Sequence, residues 1–501
     1  MNYSRRDILR YAGLAALETG CVQPRPESRI LPSLAPLPSA FQVPLPVIPT
    51  AKPERVESGT DFYDFTVRDA PARIFNGMDT AIWGYDGLFP GPTIEARVGR
   101  RVSLRLRNTL PVPIVNHLHG GRTAPEHDGY PTDLILPAGG FSHSHMNDPM
   151  AKIAQESRDY IYDNQQRGAT LWYHDHRMDF TAPQVWRGLA GFYILRDPDE
   201  ERLNLPRGDK EVALLICDRS FEADGSFRYP ALDASLSNTP GVDAAYMGGV
   251  LGDVILVNGA PWPRLEVSNV KYRFRILNAS NARRYELEFD NGVPLVQIGS
   301  DGGLLAAPLP QRSIRIAPSE RFDVVVDFSK CRVGSHVALV NREGFGPAAQ
   351  VMRFDVVRSE REESNVPAKL SEVAFERPED ATVTRVLDFS YQRATHSWRI
   401  NGQPFDPLRM DARPKLDALE IWRLQTDFSH PLHLHLVHFQ VLGHSGRPGP
   451  YDAGWKDTID LFPGQVANIL VRFSGYRGRY VFHCHNLEHE DMSMMGNFEV
   501  V

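Results

Sequence analysis

Ten of the chain's 17 histidines fall in four short clusters. They are His117-Leu118-His119, His174-Asp175-His176, His430-Pro431-Leu432-His433-Leu434-His435, and His483-Cys484-His485 followed by His489. A neutral imidazole is the commonest metal ligand. Residues two apart on a strand point to one face, so each His-x-His can aim two imidazoles at one place. A lone pair of this kind is a weak signal; four clusters together are a strong one. The last cluster names the metal, because Cys484 must point away from His483 and His485. One thiolate, two imidazoles and a weak thioether make a blue-copper site, and Cys484, His430, His489 and Met494 supply that set. Zinc favours closed Cys/His sites without a thioether. The strand then serves two sites at once, with Cys484 on one copper and its neighbours on metal atoms across the sheet.

Such pairs need strands to hold them, and the sequence provides strands. Val102 to Arg107 alternates apolar and polar residues, and Val254 to Val257, Tyr272 to Leu277, Phe322 to Phe328 and Ala467 to Phe473 read as similar or more buried strands. Gly, Pro, Asn and Asp break them at short intervals, and long helical periodicity is scarce. A weak repeat divides the chain. Pro90-Gly91-Pro92 leads into Arg105-Leu106-Arg107, Asn258-Gly259-Ala260-Pro261 into Tyr272 to Asn278, and Asn401-Gly402-Gln403-Pro404 into Glu420 to Leu424. Three turns, each followed by an arm and a strand, predict triplication of one β-sandwich. The expected fold is all-β, with three consecutive cupredoxin-like Greek-key sandwiches over 54–200, 201–358 and 381–501, the last carrying the type 1 copper. A proline-rich linker over 24–53 and a second linker over 359–380 connect them.

Composition sets outer limits. At 501 residues the chain exceeds a single core, and its net charge of −7 argues against nucleic acid as a partner. No run of about eighteen apolar residues reads as a spanning helix. Ser4-Arg5-Arg6-Asp7 followed by a modest apolar stretch resembles a twin-arginine export signal over 1–23, which carries an exported protein to the periplasm or beyond. Cys21 after Thr19-Gly20 resembles a lipid-anchor site, although Glu18 stands where an apolar residue is expected. Four cysteines are too few for a disulfide framework. Cys217 reads as a buried, inert thiol in its apolar strand. His143 and His145 read as exposed, and His127, His336, His396, His438 and His444 as ordinary core or surface residues.

With these clusters, Asn164-Gln165-Gln166-Arg167-Gly168, Gly299-Ser300-Asp301-Gly302-Gly303, Gly454-Trp455-Lys456-Asp457-Thr458 and Leu487-Glu488-His489-Glu490-Asp491, the chain resembles the multicopper oxidases of the laccase group. The likeness runs from about Pro53 to Val501 and is nearest the bacterial spore-coat laccase and bilirubin oxidase branch. The resemblance implies four copper ions. His430, Cys484, His489 and Met494 would hold the type 1 ion. His117 and His433 would hold type 2, and His119, His174, His176, His435, His483 and His485 the type 3 pair. It further implies that Glu490 and Asp128 handle protons, with a surface carboxylate as the plain alternative for Glu490. Asp457 fits either a place behind a ligand or a turn. His430 and His489 would present imidazole edges to the donor. Relatives carry a disulfide that could place Cys331 at one end, but Leu251 or a neighbour occupies its partner's position.

The expected activity is one-electron oxidation of phenols, aromatic amines or bilin-like pigments, coupled to four-electron reduction of dioxygen to water by a monomer. A cuprous or manganous oxidase is the second reading, weakened by the missing methionine-rich insert. A copper store or carrier would need only the type 1 set. A copper-free structural export protein would lack a cysteine at the position of Cys484.

Overall fold

A computed structural model describes residues 27–75, 77–141, 148–447 and 449–501. Cys21, the proposed signal, the first residues of the linker, His143 and His145 lie outside the described residues.

The alternating strands assemble into three β-sandwiches. In the first, a five-stranded sheet (Arg55–Glu57, Thr60–Phe75, Met78–Tyr85, Arg101–Asn108, Ser157–Tyr162) faces a four-stranded one (Gly91–Arg97, Asn116–His119, Ala169–Asp175, Ala190–Arg196). Leu104, Leu106, Tyr173 and Tyr193 fill the space between them. The second joins an eight-stranded sheet to a five-stranded one around Phe274, Phe289, Phe328 and Phe354. The third packs five strands against four around Trp422, Phe473, Phe482 and Phe498. Each strand's inward residues are apolar because sheets bury one face against the other.

The sequence repeat becomes a repeat of pairing. In each sandwich one strand runs parallel to its neighbour: Thr60–Phe75 with Arg101–Asn108, Glu211–Phe221 with Lys271–Asn278, and Val383–Gln392 with Leu419–Thr426. Each second strand then takes an antiparallel partner, Ser157–Tyr162, Arg321–Asp327 and Val466–Arg472 in turn. The family-like triplication is therefore one topology used three times.

Both connecting stretches are pinned rather than free. Residues Arg29–Leu31 pair in parallel with Val250–Gly252, and Ala35 and Leu45 are buried in the second core. In the later connection Leu370 is buried against Leu205 and Leu304. Cys217, Cys331 and Cys484 are free thiols, all buried, so Cys331 makes no disulfide.

Candidate metal centres

Strand register brings the clusters face to face. His117 stands directly opposite His174 on antiparallel strands, and His433 stands opposite His483. Directly opposed residues share a face, so these four imidazoles meet between the first and third sandwiches. Leu432 stands opposite Cys484 in the same pairing, which sends the thiol to the other face, into the third core. Three successive residues thus join two pockets.

In the inner pocket eight imidazoles converge, all essentially buried. His117, His119 and His433 form one group, His119, His174 and His485 a second, and His176, His435 and His483 a third. The ring nitrogens that face inward lie close: His117 Nε2 is 3.4 Å from His433 Nε2, and His483 Nε2 is 3.2 Å from His176 Nε2 and 3.3 Å from His435 Nε2. Their other nitrogens are held by protein oxygens. His117 Nδ1 meets the Asp128 carbonyl at 2.6 Å, His174 Nδ1 the Asp175 carbonyl at 2.8 Å, and His433 Nδ1 the Asp457 carbonyl at 2.9 Å. His435 Nδ1 donates to Asp128 Oδ2 at 2.7 Å and His119 Nε2 to Asp457 Oδ1 at 3.0 Å. An N–H fixed outward leaves a lone pair inward, which is how ligating histidines are oriented. The Nδ1 of His119, the Nε2 of His174 and both ring nitrogens of His485 have no protein partner. Burial holds His174 down to about 3 and His176 to about 4, so the rings are neutral, as metal binding requires. Buried bare nitrogens at such spacings fit metal ions.

The outer pocket is smaller. His430 Nδ1 lies 3.1 Å from His489 Nδ1 and 3.3 Å from Cys484 Sγ, and Cys484 Sγ lies 3.6 Å from His489 Nδ1. Met494 is fully buried in the same core. The Asn486 backbone N–H donates to Cys484 Sγ at 3.4 Å. Burial pushes the Cys484 thiol well up, so a thiolate there needs a cation beside it. Two imidazole nitrogens and one sulfur, all buried and facing one another, fit a copper ion.

Acids surround the inner pocket. Asp128 is buried and pushed by that burial to about 8, with Thr123 donating to it at 3.2 Å. Glu490 lies on the short helix Leu487–Asp491 and is buried rather than on the surface. Its carboxylate is 3.1 Å from His483 Nδ1 and 3.4 Å from His176 Nδ1, and accepts from Thr181 at 2.8 Å. Burial would raise it, but the two imidazoles and the hydrogen bonds from His483 and Thr181 prevail and hold it at about 2.

Asp457 stands behind ligands rather than only in a turn. Its carboxylate takes His119 and its carbonyl His433, while Arg321, from the second sandwich, grips it with both Nη atoms, one at 2.8 Å. Burial would raise Asp457, yet Arg321 holds it well below the carboxylate range. Asp301 in turn pairs with Lys456 at 3.1 Å and accepts the Arg321 backbone N–H at 2.8 Å. Sequence reasoning missed Arg321: no local spacing marks it, and only the fold brings it 136 positions along the chain to Asp457. Trp172 stacks on His174 with centroids 4.3 Å apart.

One expectation meets a difference. His430 is fully buried and His489 is 2% exposed, so neither presents an edge to solvent; aromatic side chains and the segment before Val250 cover them. His127, His336, His396, His438 and His444 lie outside the metal groups, although His438 approaches Asp457 at 3.6 Å.

Sequence models of the multicopper oxidases match residues 66–200, 230–355 and 375–501. A laccase of Bacillus subtilis is 37% identical over 91% of this chain and 97% of its own. A bilirubin oxidase of Albifimbria verrucaria is 33% identical, over 91% of this chain and 81% of its own. Among solved structures, the laccase of Pediococcus acidilactici superposes with a TM-score of 0.82 at 32% identity, covering 94% of this chain and 96% of that one.

Proposed function

Because the chain belongs to the multicopper oxidase family and is a laccase-like, copper-dependent oxidoreductase, we propose a specific division of labour among its residues. His430, Cys484, His489 and Met494 hold a type 1 copper. His117 and His433 hold type 2. His119, His174 and His485 hold one type 3 ion, and His176, His435 and His483 the other, making four. Bound copper supplies the redox chemistry, taking one electron at a time from a phenol, aromatic amine or bilin-like pigment and passing four to dioxygen, which with four protons becomes two waters.

The chain's own residues shape that reaction. Asp128 and Asp457 fix the tautomers of His117, His435, His119 and His433, so that lone pairs point inward. Glu490, hydrogen-bonded to Thr181 and beside His176 and His483, is an ionised carboxylate placed to orient those rings and to relay protons at the inner pocket. Asp128, whose carboxyl burial pushes up, sits behind His117 and His435 where it can take up and release a proton. The single observation that carries this reading is the strand Gly478–Cys484 with its next residue, which sends Cys484 into one pocket and His483 and His485 into the other.

The twin-arginine-like start Ser4-Arg5-Arg6 supports the reading of an exported protein acting in the periplasm or outside the cell; the reading further makes it a monomer without nucleic-acid partners, with Cys21 as the site of a lipid anchor. The described helices are too short to cross a membrane. The test is oxygen uptake by the copper-loaded protein with 2,6-dimethoxyphenol against cuprous ion, with Cys484→Ser as the blank. Fast uptake with the phenol and no peroxide supports the reading. Much faster uptake with cuprous ion moves the function to metal oxidation.

A further inference from the structure

The donor's electrons must cross whatever covers His489, and the cover is aromatic. The strands Val383–Gln392 and Ser397–Ile400 form a hairpin with Tyr391 opposite Trp398, so both side chains leave one face. Trp398 is fully buried. It lies flat against His489 with centroids 3.7 Å apart and planes 28° apart. Its ring also meets His430 edge-on at 5.4 Å and 85°. One indole therefore touches both imidazoles of the outer pocket. Its N–H donates to the Met247 carbonyl at 3.1 Å, which fixes the ring's angle. Beyond it, Tyr391 packs on the indole at 4.8 Å. Tyr391 is only half-buried, its hydroxyl meets His396 Nδ1 at 3.1 Å, and the hairpin tip from Gln392 to His396 is exposed.

We propose that Tyr391 and Trp398 form an aromatic bridge between the surface and the type 1 site, with aromatic donors docking on Tyr391 and coupling through Trp398 to His489. This rests on the reading of His489 as a copper ligand. Rings in contact give orbital overlap that a water-filled gap of the same length does not. An electron-rich arene also gains from offset or edge-on packing against a tyrosine ring, which selects aromatic donors over compact ions. In each event the donor phenol loses one electron and its hydroxyl proton, becoming a phenoxyl radical. The proton goes to water, and the electron takes the copper at His489 from cupric to cuprous. Tyr391 and Trp398 end unchanged.

The experiment follows anaerobic bleaching of the blue band by 2,6-dimethoxyphenol in stopped flow, with the type 1 potential and the copper content recorded for each variant. Trp398→Leu, with band and potential retained, slows bleaching at saturating phenol by about tenfold, a barrier change of about 1.4 kcal/mol. Trp398→Phe keeps a ring against His489 and stays near the wild type, and it serves where the leucine variant does not fold. Tyr391→Leu raises the half-saturating phenol concentration about tenfold and also slows bleaching at saturating phenol, by less than Trp398→Leu does. In the copper-free protein, the same phenol quenches tryptophan emission saturably, and Tyr391→Leu removes the effect. Unchanged or faster bleaching in Trp398→Leu would make the indole a shield and overturn the bridge, as would copper-free wild type that shows no quenching. A loaded wild type with no blue band at all would instead overturn the reading of His489, and the bridge with it.

Discussion

The two metal pockets are built on opposite plans. The outer one would take every ligand from the third sandwich, between His430 and Met494, and its imidazoles are bounded by Phe389 and Trp398. Among the described residues neither of its imidazoles donates to a carboxylate. The inner pocket takes half its imidazoles from the first sandwich and half from the third, and Asp128, Asp457 and Glu490 stand directly behind them. A pocket that handles electrons alone gains from dry, rigid, aromatic walls. One that must also bring protons to oxygen needs carboxylates, and these are kept buried only by further pairing. For Asp457 the second sandwich supplies that pairing through Arg321, without lending an imidazole to either pocket.

The sharpest way to break this contrast is to remove the residue the pockets share. Cys484→Ser is expected to abolish both the blue absorption and oxygen uptake, while electron paramagnetic resonance still shows type 2 copper. Loss of both copper signals would mean that the inner pocket cannot assemble without the outer. Next in size is Arg321→Leu, which leaves the buried Asp457 carboxylate without its cation, while Asp301 keeps Lys456. The expected cost is about 3–5 kcal/mol, read in the denaturant midpoint, with an altered type 2 signal and an intact blue band. Asp128→Asn should leave the blue band alone and lower turnover about 10–100-fold, the usual cost of a lost partner behind a ligand.

The smallest effect concerns the seam between the first two sandwiches. Glu200 bonds Arg273 at 2.8 Å and Arg275 at 2.7 Å. Burial would raise its carboxyl, but the two guanidiniums bring it to about 2, below the ordinary 4.5. A depressed carboxyl stabilises the fold fully above 4.5, and that contribution is lost as the pH falls from 4.5 towards 2. The melting temperature should therefore drop across that window in the wild type and less steeply in Glu200→Gln, with copper spectra unchanged until unfolding.

What could be read from the sequence was whatever strand geometry makes local. His117 and His119, or His483 and His485, announce a shared face by their spacing, and Cys484 between them announces the other face. The threefold repeat was legible because each module reuses the same turn and strand. Asp457 was ambiguous, because an acid after Trp455-Lys456 suits a turn as well as a place behind a ligand, and only its contacts with His119 and, across a module boundary, Arg321 decide it. Trp398 left no signal, since an apolar residue in a strand is ordinary until a hairpin lays it on His489. The expectation that His430 and His489 present their edges to the donor meets a difference for the same reason: the cover, Trp398, comes from a hairpin remote in the chain.

The early strand Arg29–Leu31, docked beside Val250–Gly252, has a practical consequence. Ser28 donates to the Gly248 carbonyl at 2.7 Å, and Asn486 donates to the same carbonyl at 3.1 Å while bonding His489 at 3.2 Å. Whatever is grafted ahead of Glu27, whether an acyl chain, a fusion partner or the tether of an electrode coating, is leashed to the side of the molecule beside His489, the proposed point of electron entry. For a biocathode, wiring through that end gives a short path to the conductor without altering a single copper ligand.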